Sequence, residues 1–223
     1  MFQDAGQLAQ LIDHTLVRPE ATLDDLFAAC EDAKKYGFSS VVVNGCNVVR
    51  AREILNGTLV KVCAVVGFPL GASTTTVKIV EAMEAMKNGA SEIDFVINIG
   101  MVKSGRFDAV EVDIKNIIAM TPKKVHKVIL ETGRLTEDEI IRLCETVMRS
   151  GAEFVKTSTG FGPRGATVED VRLIKTIVGS VCRIKASGGI RDLVALTSLV
   201  DAGAERIGTS AGPTIMEEYY RLK

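Results

Sequence analysis

The sequence predicts an α/β fold, a (β/α)8 TIM barrel with residues 1–223 in a single domain, and three observations carry that expectation. Short β-branched runs alternate with helix-period segments from end to end, the pattern of a parallel sheet with helical crossovers. A weak repeat closes four of the helical segments. Gly37-Phe38-Ser39, Gly89-Ala90-Ser91, Gly151-Ala152-Glu153 and Gly203-Ala204-Glu205 each stand just before a run, at intervals of 52, 62 and 52 residues. Each interval holds two strand-helix units, near the ~31 residues per unit of a roughly 250-residue barrel. An open doubly wound sheet would instead signal itself with a Gly-x-Gly-x-x-Gly turn after its first strand, and none follows Leu16.

The expected strands, in order, are Leu11 to Leu16, Ser39 to Val43, Val60 to Val66, Glu92 to Asn98, His126 to Glu131, Glu153 to Thr157, Arg183 to Ala186 and Arg206 to Thr209. Asp13 and His14 interrupt the apolar pattern of the first, which makes it the weakest of the eight. After Thr22 an acidic first turn (Asp24, Asp25), an apolar face at Leu26, Phe27, Cys30 and Ala33 and a stop at Gly37 mark a helix. Ile79, Met83 and Met86 give a second face ended by Asn88-Gly89, and Ile140, Cys144, Val147 and Met148 a third ended by Gly151. Such stripes are read as core.

Apolar residues make up 47% and charged residues 25%, with a formal net charge of −1, an ordinary globular composition that excludes disorder and collagen. The balanced charge gives no broad footprint for nucleic acid or an anionic membrane, so the expected partners are small molecules, phosphosugars and aldehydes. No apolar stretch approaches the roughly 18 residues of a membrane span, and the start lacks a secretory signal, so a cytoplasmic protein is expected. Five cysteines, odd in number and without Cys-x-x-Cys spacing, read as reduced thiols, with Cys46 an ordinary loop cysteine. Only two histidines occur, His14 and His126, far apart in sequence. They are expected to be structural, and neither a metal site nor a Ser-His-Asp triad is predicted.

In a barrel the ends of strands face the site while side chains alternate between interior and helix layer. Placing Val155 outward turns Lys156 toward the axis, and placing Ile184 and Ala186 outward does the same for Lys185. Ile93 and Phe95 likewise force Asp94 inward. Two lysines and a carboxylate in one pocket point to imine chemistry, because a neighbouring ammonium and a low-polarity setting both favour a neutral, nucleophilic amine. A structural Lys-Asp ion pair is the plainer alternative. Gly188-Gly189 follows the seventh run and Gly208-Thr209-Ser210-Ala211-Gly212 the eighth, in the loops where barrels bind phosphate through backbone N–H groups. Arg191 is a further candidate phosphate ligand.

Asp13-His14-Thr15, Glu92-Ile93-Asp94, Glu131-Thr132-Gly133, Phe154-Val155-Lys156-Thr157-Ser158-Thr159-Gly160-Phe161, Ile184-Lys185-Ala186-Ser187-Gly188-Gly189-Ile190-Arg191 and Arg206-Ile207-Gly208-Thr209-Ser210 resemble the deoxyribose-phosphate aldolase family over nearly the whole chain. The resemblance implies a class I aldolase, with no cofactor and no metal, that interconverts 2-deoxy-D-ribose 5-phosphate with acetaldehyde and D-glyceraldehyde 3-phosphate. It implies Lys156 as the Schiff-base lysine, Lys185 as the lysine that perturbs it, and Asp94 as the carboxylate used in proton transfer. Gly188, Gly189 and Ser210 match phosphate-binding positions, and Thr159 with Gly160 lines the pocket. Asp13 matches a polar residue at the mouth of the first strand.

The sequence also departs from the family pattern. Ala211 stands where many relatives have a second serine, removing a hydroxyl while keeping the backbone N–H, and Phe161 stands where some have lysine. Val42-Val43-Asn44-Gly45 replaces a Cys-Val-Asn-Pro-like run, and no role is assigned to the tyrosines of the Tyr219-Tyr220 tail. A phosphosugar isomerase or another Schiff-base aldolase on the same fold, or a non-catalytic phosphosugar-binding barrel, remain alternatives, and a homodimer is the expected assembly.

Overall fold

The computed structural model describes residues 2–222. Eight parallel strands hydrogen-bond in sequence order and close into a barrel, the last pairing with the first. They are β1 (Ile12–Leu16), β2 (Ser40–Val43), β3 (Lys61–Val66), β4 (Glu92–Val96), β5 (Val125–Ile129), β6 (Phe154–Lys156), β7 (Arg183–Ser187) and β8 (Arg206–Thr209). The helices are α1 (Ala5–Ala9), α2 (Leu23–Tyr36), α3 (Val48–Ile54), α4 (Thr75–Lys87), α5 (Ile99–Lys103), α6 (Phe107–Met120), α7 (Glu137–Ser150), α8 (Val168–Val178), α9 (Leu193–Asp201) and α10 (Gly212–Arg221). The expected barrel is therefore present; the run at Arg206 to Thr209 matches β8 at both ends, and the others overshoot or undershoot their strands by one or two residues. Two of the overshoots have visible causes. Asn98, expected at the end of a strand, instead caps α5 by accepting the Met101 N–H, and Glu131 leaves the β5 line at φ 60°.

The helix signals hold where they are chemically complete. Thr22 with Asp25 and Thr136 with Glu139 form reciprocal capping boxes, and Gly37 and Gly151 end α2 and α7 in the left-handed conformation. The predicted apolar faces hold less fully. Phe27 on α2 and Met83 on α4 are exposed, because α2 buries Leu26, Ala29, Cys30 and Ala33 and α4 buries Lys78, Ala82 and Ala85. Lys78 is buried there as an ion pair with Asp113 of α6 at 2.7 Å, and it also donates to the Val96 carbonyl at 2.8 Å.

Odd and even strand residues divide cleanly. Val41, Val43, Ala64, Ile93, Phe95, Val128, Val155, Ile184, Ala186 and Ile207 join the apolar layer shared with the helices. Asp13 and His14 do not break β1. They obey its alternation, since Asp13 enters the barrel while His14 lies beside Phe38, with ring centroids 5.3 Å apart. His126 is hydrogen-bonded to Thr121 Oγ1 at 2.8 Å, and burial holds both imidazoles below the usual histidine value despite neighbouring carboxylates. Tyr219 is buried on α10 against Phe2, within the helix layer. Cys30, Cys63, Cys144 and Cys182 are buried free thiols, and Cys46 is exposed. No helix among the described residues is long and apolar enough to cross a membrane.

Candidate active site

The barrel interior is charged. Asp94 on β4 and Lys127 on β5 are register partners, as are Lys156 on β6 and Lys185 on β7, and Lys185 and Arg206 on β8. The same pleat therefore points them to one axis. Asp94 Oδ2 accepts from Lys156 Nζ at 2.8 Å and from Lys185 Nζ at 2.7 Å. Its other oxygen accepts from Lys127 Nζ at 2.8 Å and the Cys63 thiol at 3.0 Å. Below this hub, Asp13 binds Lys185 at 2.5 Å, Arg206 at 2.6 Å and the Ser40 hydroxyl at 2.6 Å. Glu92 binds Lys127 at 2.6 Å. Lys127 and Arg206 also flank the Phe154 ring, with the lysine nitrogen 6.0 Å and the guanidinium carbon 5.6 Å from its centroid.

The two lysines on Asp94 are not equivalent. Burial pulls both down, but Lys185 has Asp13 as well as Asp94, and the two carboxylates outweigh burial and hold it above the ordinary lysine value. Lys156 has only a share of Asp94. Burial, reinforced by the charge of Lys185, brings it below the ordinary value against the pull of that carboxylate. Burial alone would raise Asp94, yet Lys127, Lys156 and Lys185 hold it well below the usual carboxylate range. Desolvation raises the Cys63 thiol, with Asp94 adding to it, so Cys63 is a hydrogen-bond donor in this network.

Above the hub a cavity of about 290 Å³ opens at the C-terminal ends of the strands. Thr159, Gly160, Gly188, Gly189 and Ser210 line it, as do Arg191 and Phe161. Of the four basic residues inside the barrel, only Lys156 reaches it, with 3% of its surface exposed against none for Lys185. Asp94 and Lys185 stand behind Lys156. Asp13 is a correction to the sequence reading: it lies wholly buried in the lower half of β1, three residues before the strand end at Leu16, and does not meet the mouth.

The rim is backbone. Gly188 and Gly189 have φ of 87° and 76°, and a Cβ on Gly188 would stand 3.0 Å from the Cα of Gly165 and 3.4 Å from that of Gly160. The β6–α8 loop is thereby seated on the Gly188 turn, and Ala166 N–H donates to the Ser187 and Gly188 carbonyls at 3.1 and 3.2 Å. Glu131 holds the loop from below, accepting both the hydroxyl and the N–H of Thr159. Gly208 serves the floor instead, because a Cβ there would stand 3.1 Å from Lys185 Cε. The Ala211 amide, which the substitution of serine by alanine keeps, donates to Thr209 Oγ1 at 2.9 Å.

Sequence reasoning missed Lys127, Glu92, Arg206 and Cys63 as members of the floor, and Glu131 and Arg18 around the mouth. The alternation that selected Lys156 would also have selected Lys127, since Val128 faces the helices. Arg18, which lines the cavity, is tied to Asp25 at 2.6 Å. Among the described residues no group of three His, Cys, Asp or Glu side chains is placed to hold a metal ion.

A profile of the DeoC/LacD family aldolases matches residues 7–216. The deoxyribose-phosphate aldolase of Caldanaerobacter subterraneus subsp. tengcongensis is 52% identical over 215 residues, covering 95% of this chain and 93% of that protein. The enzyme of that name from Staphylococcus epidermidis is 52% identical over 209 residues, covering 94% and 95%. Among solved structures, deoxyribose phosphate aldolase from Aeropyrum pernix superposes with a TM-score of 0.93 at 32% identity, covering 100% of this chain and 94% of the other.

Proposed function

The chain belongs to the DeoC/LacD family of aldolases, and we propose that its reaction runs through a Schiff base on Lys156. The activity is that of a deoxyribose-phosphate aldolase, the reversible cleavage of 2-deoxy-D-ribose 5-phosphate to acetaldehyde and D-glyceraldehyde 3-phosphate. One observation carries the assignment to Lys156: it is the only basic residue of the barrel interior with access to the cavity, and the one whose surroundings favour the neutral amine.

In the cleavage direction the Lys156 amine adds to the C1 carbonyl of the open-chain sugar, and the carbinolamine loses water to give an iminium. Loss of the C3 hydroxyl proton breaks the C2–C3 bond, its electrons pass into the iminium, and D-glyceraldehyde 3-phosphate leaves. The enamine takes a proton at C2, and water then releases acetaldehyde and the free amine. A proton shed at Lys156 Nζ meets Asp94 Oδ2, with Lys185 2.7 Å beyond on the same oxygen. The N–H groups at Gly188, Gly189 and Ser210, with Arg191 beside them, receive the phosphate, and Thr159 with Gly160 shapes the wall.

The same reading makes residues 1–223 one catalytic domain, which the span of the family match supports, and a cytoplasmic enzyme of deoxyribose phosphate catabolism, which the five free thiols support. It takes the chain as a homodimer. The Aeropyrum pernix relative is described as tetrameric, so proteins of this fold do assemble. Acetaldehyde release from 2-deoxy-D-ribose 5-phosphate tests the reaction. Release that survives exhaustive chelation is the expected result, since the iminium acts as electron sink without a metal, and loss of activity on chelation would remove the Schiff-base mechanism.

A further inference from the structure

The floor of the site contains one more positive group than negative. Asp13, Glu92 and Asp94 face Lys127, Lys185, Arg206 and Lys156, all inside the barrel. Lys185 and Arg206 share Asp13, and Lys127 takes Glu92 at 2.6 Å, so each of these three cations has a carboxylate besides Asp94 or in place of it. Lys156 has Asp94 alone, and shares it with two other lysines. It is the surplus charge. The other titratable groups that face it among the described residues are Cys63 on β3 and, across the cavity, Arg18 and Arg191, while β2 contributes the neutral Ser40.

Resting on the Schiff-base reading of Lys156, we propose that Glu92 and Lys127 are positioning residues for the reaction, which act through Asp94 to set how much negative charge reaches the Lys156 amine. Neither lines the cavity. Lys127 occupies Asp94 Oδ1 and is in turn held by Glu92 Oε2, so the pair forms a lever between the lower barrel and the nucleophile. Removing Lys127 leaves three carboxylates against Lys185 and Arg206, and Asp94 then favours the Lys156 ammonium. Removing the charge of Glu92 has the opposite sign, because Lys127 then draws more fully on Asp94. Removing both restores the original balance. Lys61, half exposed, reaches Glu92 at 3.3 Å from the solvent end, where water screens it.

The test is the pH dependence of acetaldehyde trapping by borohydride, read by mass at Lys156, in the wild type, Lys127→Met, Glu92→Gln and the double variant. Lys127→Met should move the midpoint up by about one pH unit, Glu92→Gln should move it down by a smaller amount, and the double variant should return toward wild type. A purely structural role would give no opposed shifts. Should Lys127→Met fail to fold, the isosteric Glu92→Gln still decides by the direction of its shift. Shifts of one sign in both variants, or unmoved midpoints with trapping intact at Lys156, would overturn the inference alone. Absence of trapping at Lys156 in the wild type would overturn the Schiff-base assignment, and this inference with it.

Discussion

Around Asp94 the functional groups are held by side chain against side chain at 2.5 to 3.0 Å, whereas around Gly188 they are held by backbone against backbone, so close that a Cβ on Gly188 would stand 3.0 Å from the Gly165 Cα. The floor comes from neighbouring strands, whose register fixes each nitrogen. The rim comes from loops, whose left-handed turns at Gly188 and Gly189 are set by backbone and not by side-chain contacts. Changes of charge at floor positions should therefore report on rate and pH. Rim positions should tolerate loss of a hydroxyl but not gain of a Cβ, and should report on phosphate.

The largest expected effect is at Lys156. Lys156→Met should lower kcat for cleavage by roughly three to four orders of magnitude while the barrel stays folded, since removing this amine also removes the floor's surplus charge. A circular dichroism spectrum and melting curve taken alongside the acetaldehyde assay check both halves. Lys185→Leu should come next, with kcat down by about 10²-fold or more. It takes away the positive neighbour and gives Lys156 a larger share of Asp94, so the Lys156 ammonium becomes harder to deprotonate and the kcat profile moves to higher pH. An unmoved profile would reduce Lys185 to placing substrate or carrying protons. This variant also takes from Asp13 one of its two close cations and leaves it Arg206 and Ser40, and denaturant melts should show a loss of about 1 to 3 kcal/mol, which sets it apart from Lys156→Met.

On the rim, Gly188→Val combines a φ of 87° with a Cβ against Gly165, and should reduce kcat/KM for 2-deoxy-D-ribose 5-phosphate by roughly ten- to a hundredfold. Turnover of unphosphorylated deoxyribose, measured in parallel, should fall much less. Equal losses on both substrates would blur the distinction between rim and floor and would withdraw the phosphate role from Gly188. The smallest effects belong to hydroxyls. Ser210→Ala should cost only a few-fold in KM, and Ala211→Ser should tighten phosphate by about 0.5 kcal/mol, with inhibition by inorganic phosphate as the readout. The Ala211 amide is already taken by Thr209, so any gain must come from the new oxygen.

The two regions also differed in how far the sequence revealed them. Strand alternation turned Lys156, Lys185 and Asp94 inward from nothing more than their apolar neighbours, and the structure brings all three together. Lys127 obeys the same rule, since Val128 faces the helices, but its membership of the floor shows only in the register that pairs it with Asp94. Asp13 was placed at the mouth because motif resemblance conveys residue type without depth. Only the end of β1 at Leu16 shows that it lies below the reacting amine. Glycine spacing located the rim but could not separate Gly188, which shapes it, from Gly208, which clears space for Lys185. The grip of Glu131 on Thr159 depends on a left-handed backbone that no local pattern announces.

The central claim is that access to the cavity, with surroundings that favour the neutral amine, makes Lys156 the nucleophile even though Lys185 touches the same Asp94 oxygen. Treating the wild-type protein with acetaldehyde and borohydride and mapping its peptides by mass separates the two lysines directly. A mass increase of one ethyl group on the peptide carrying Lys156, with Lys185 unmodified, is the predicted result. Modification confined to Lys185, or to neither lysine, would contradict it.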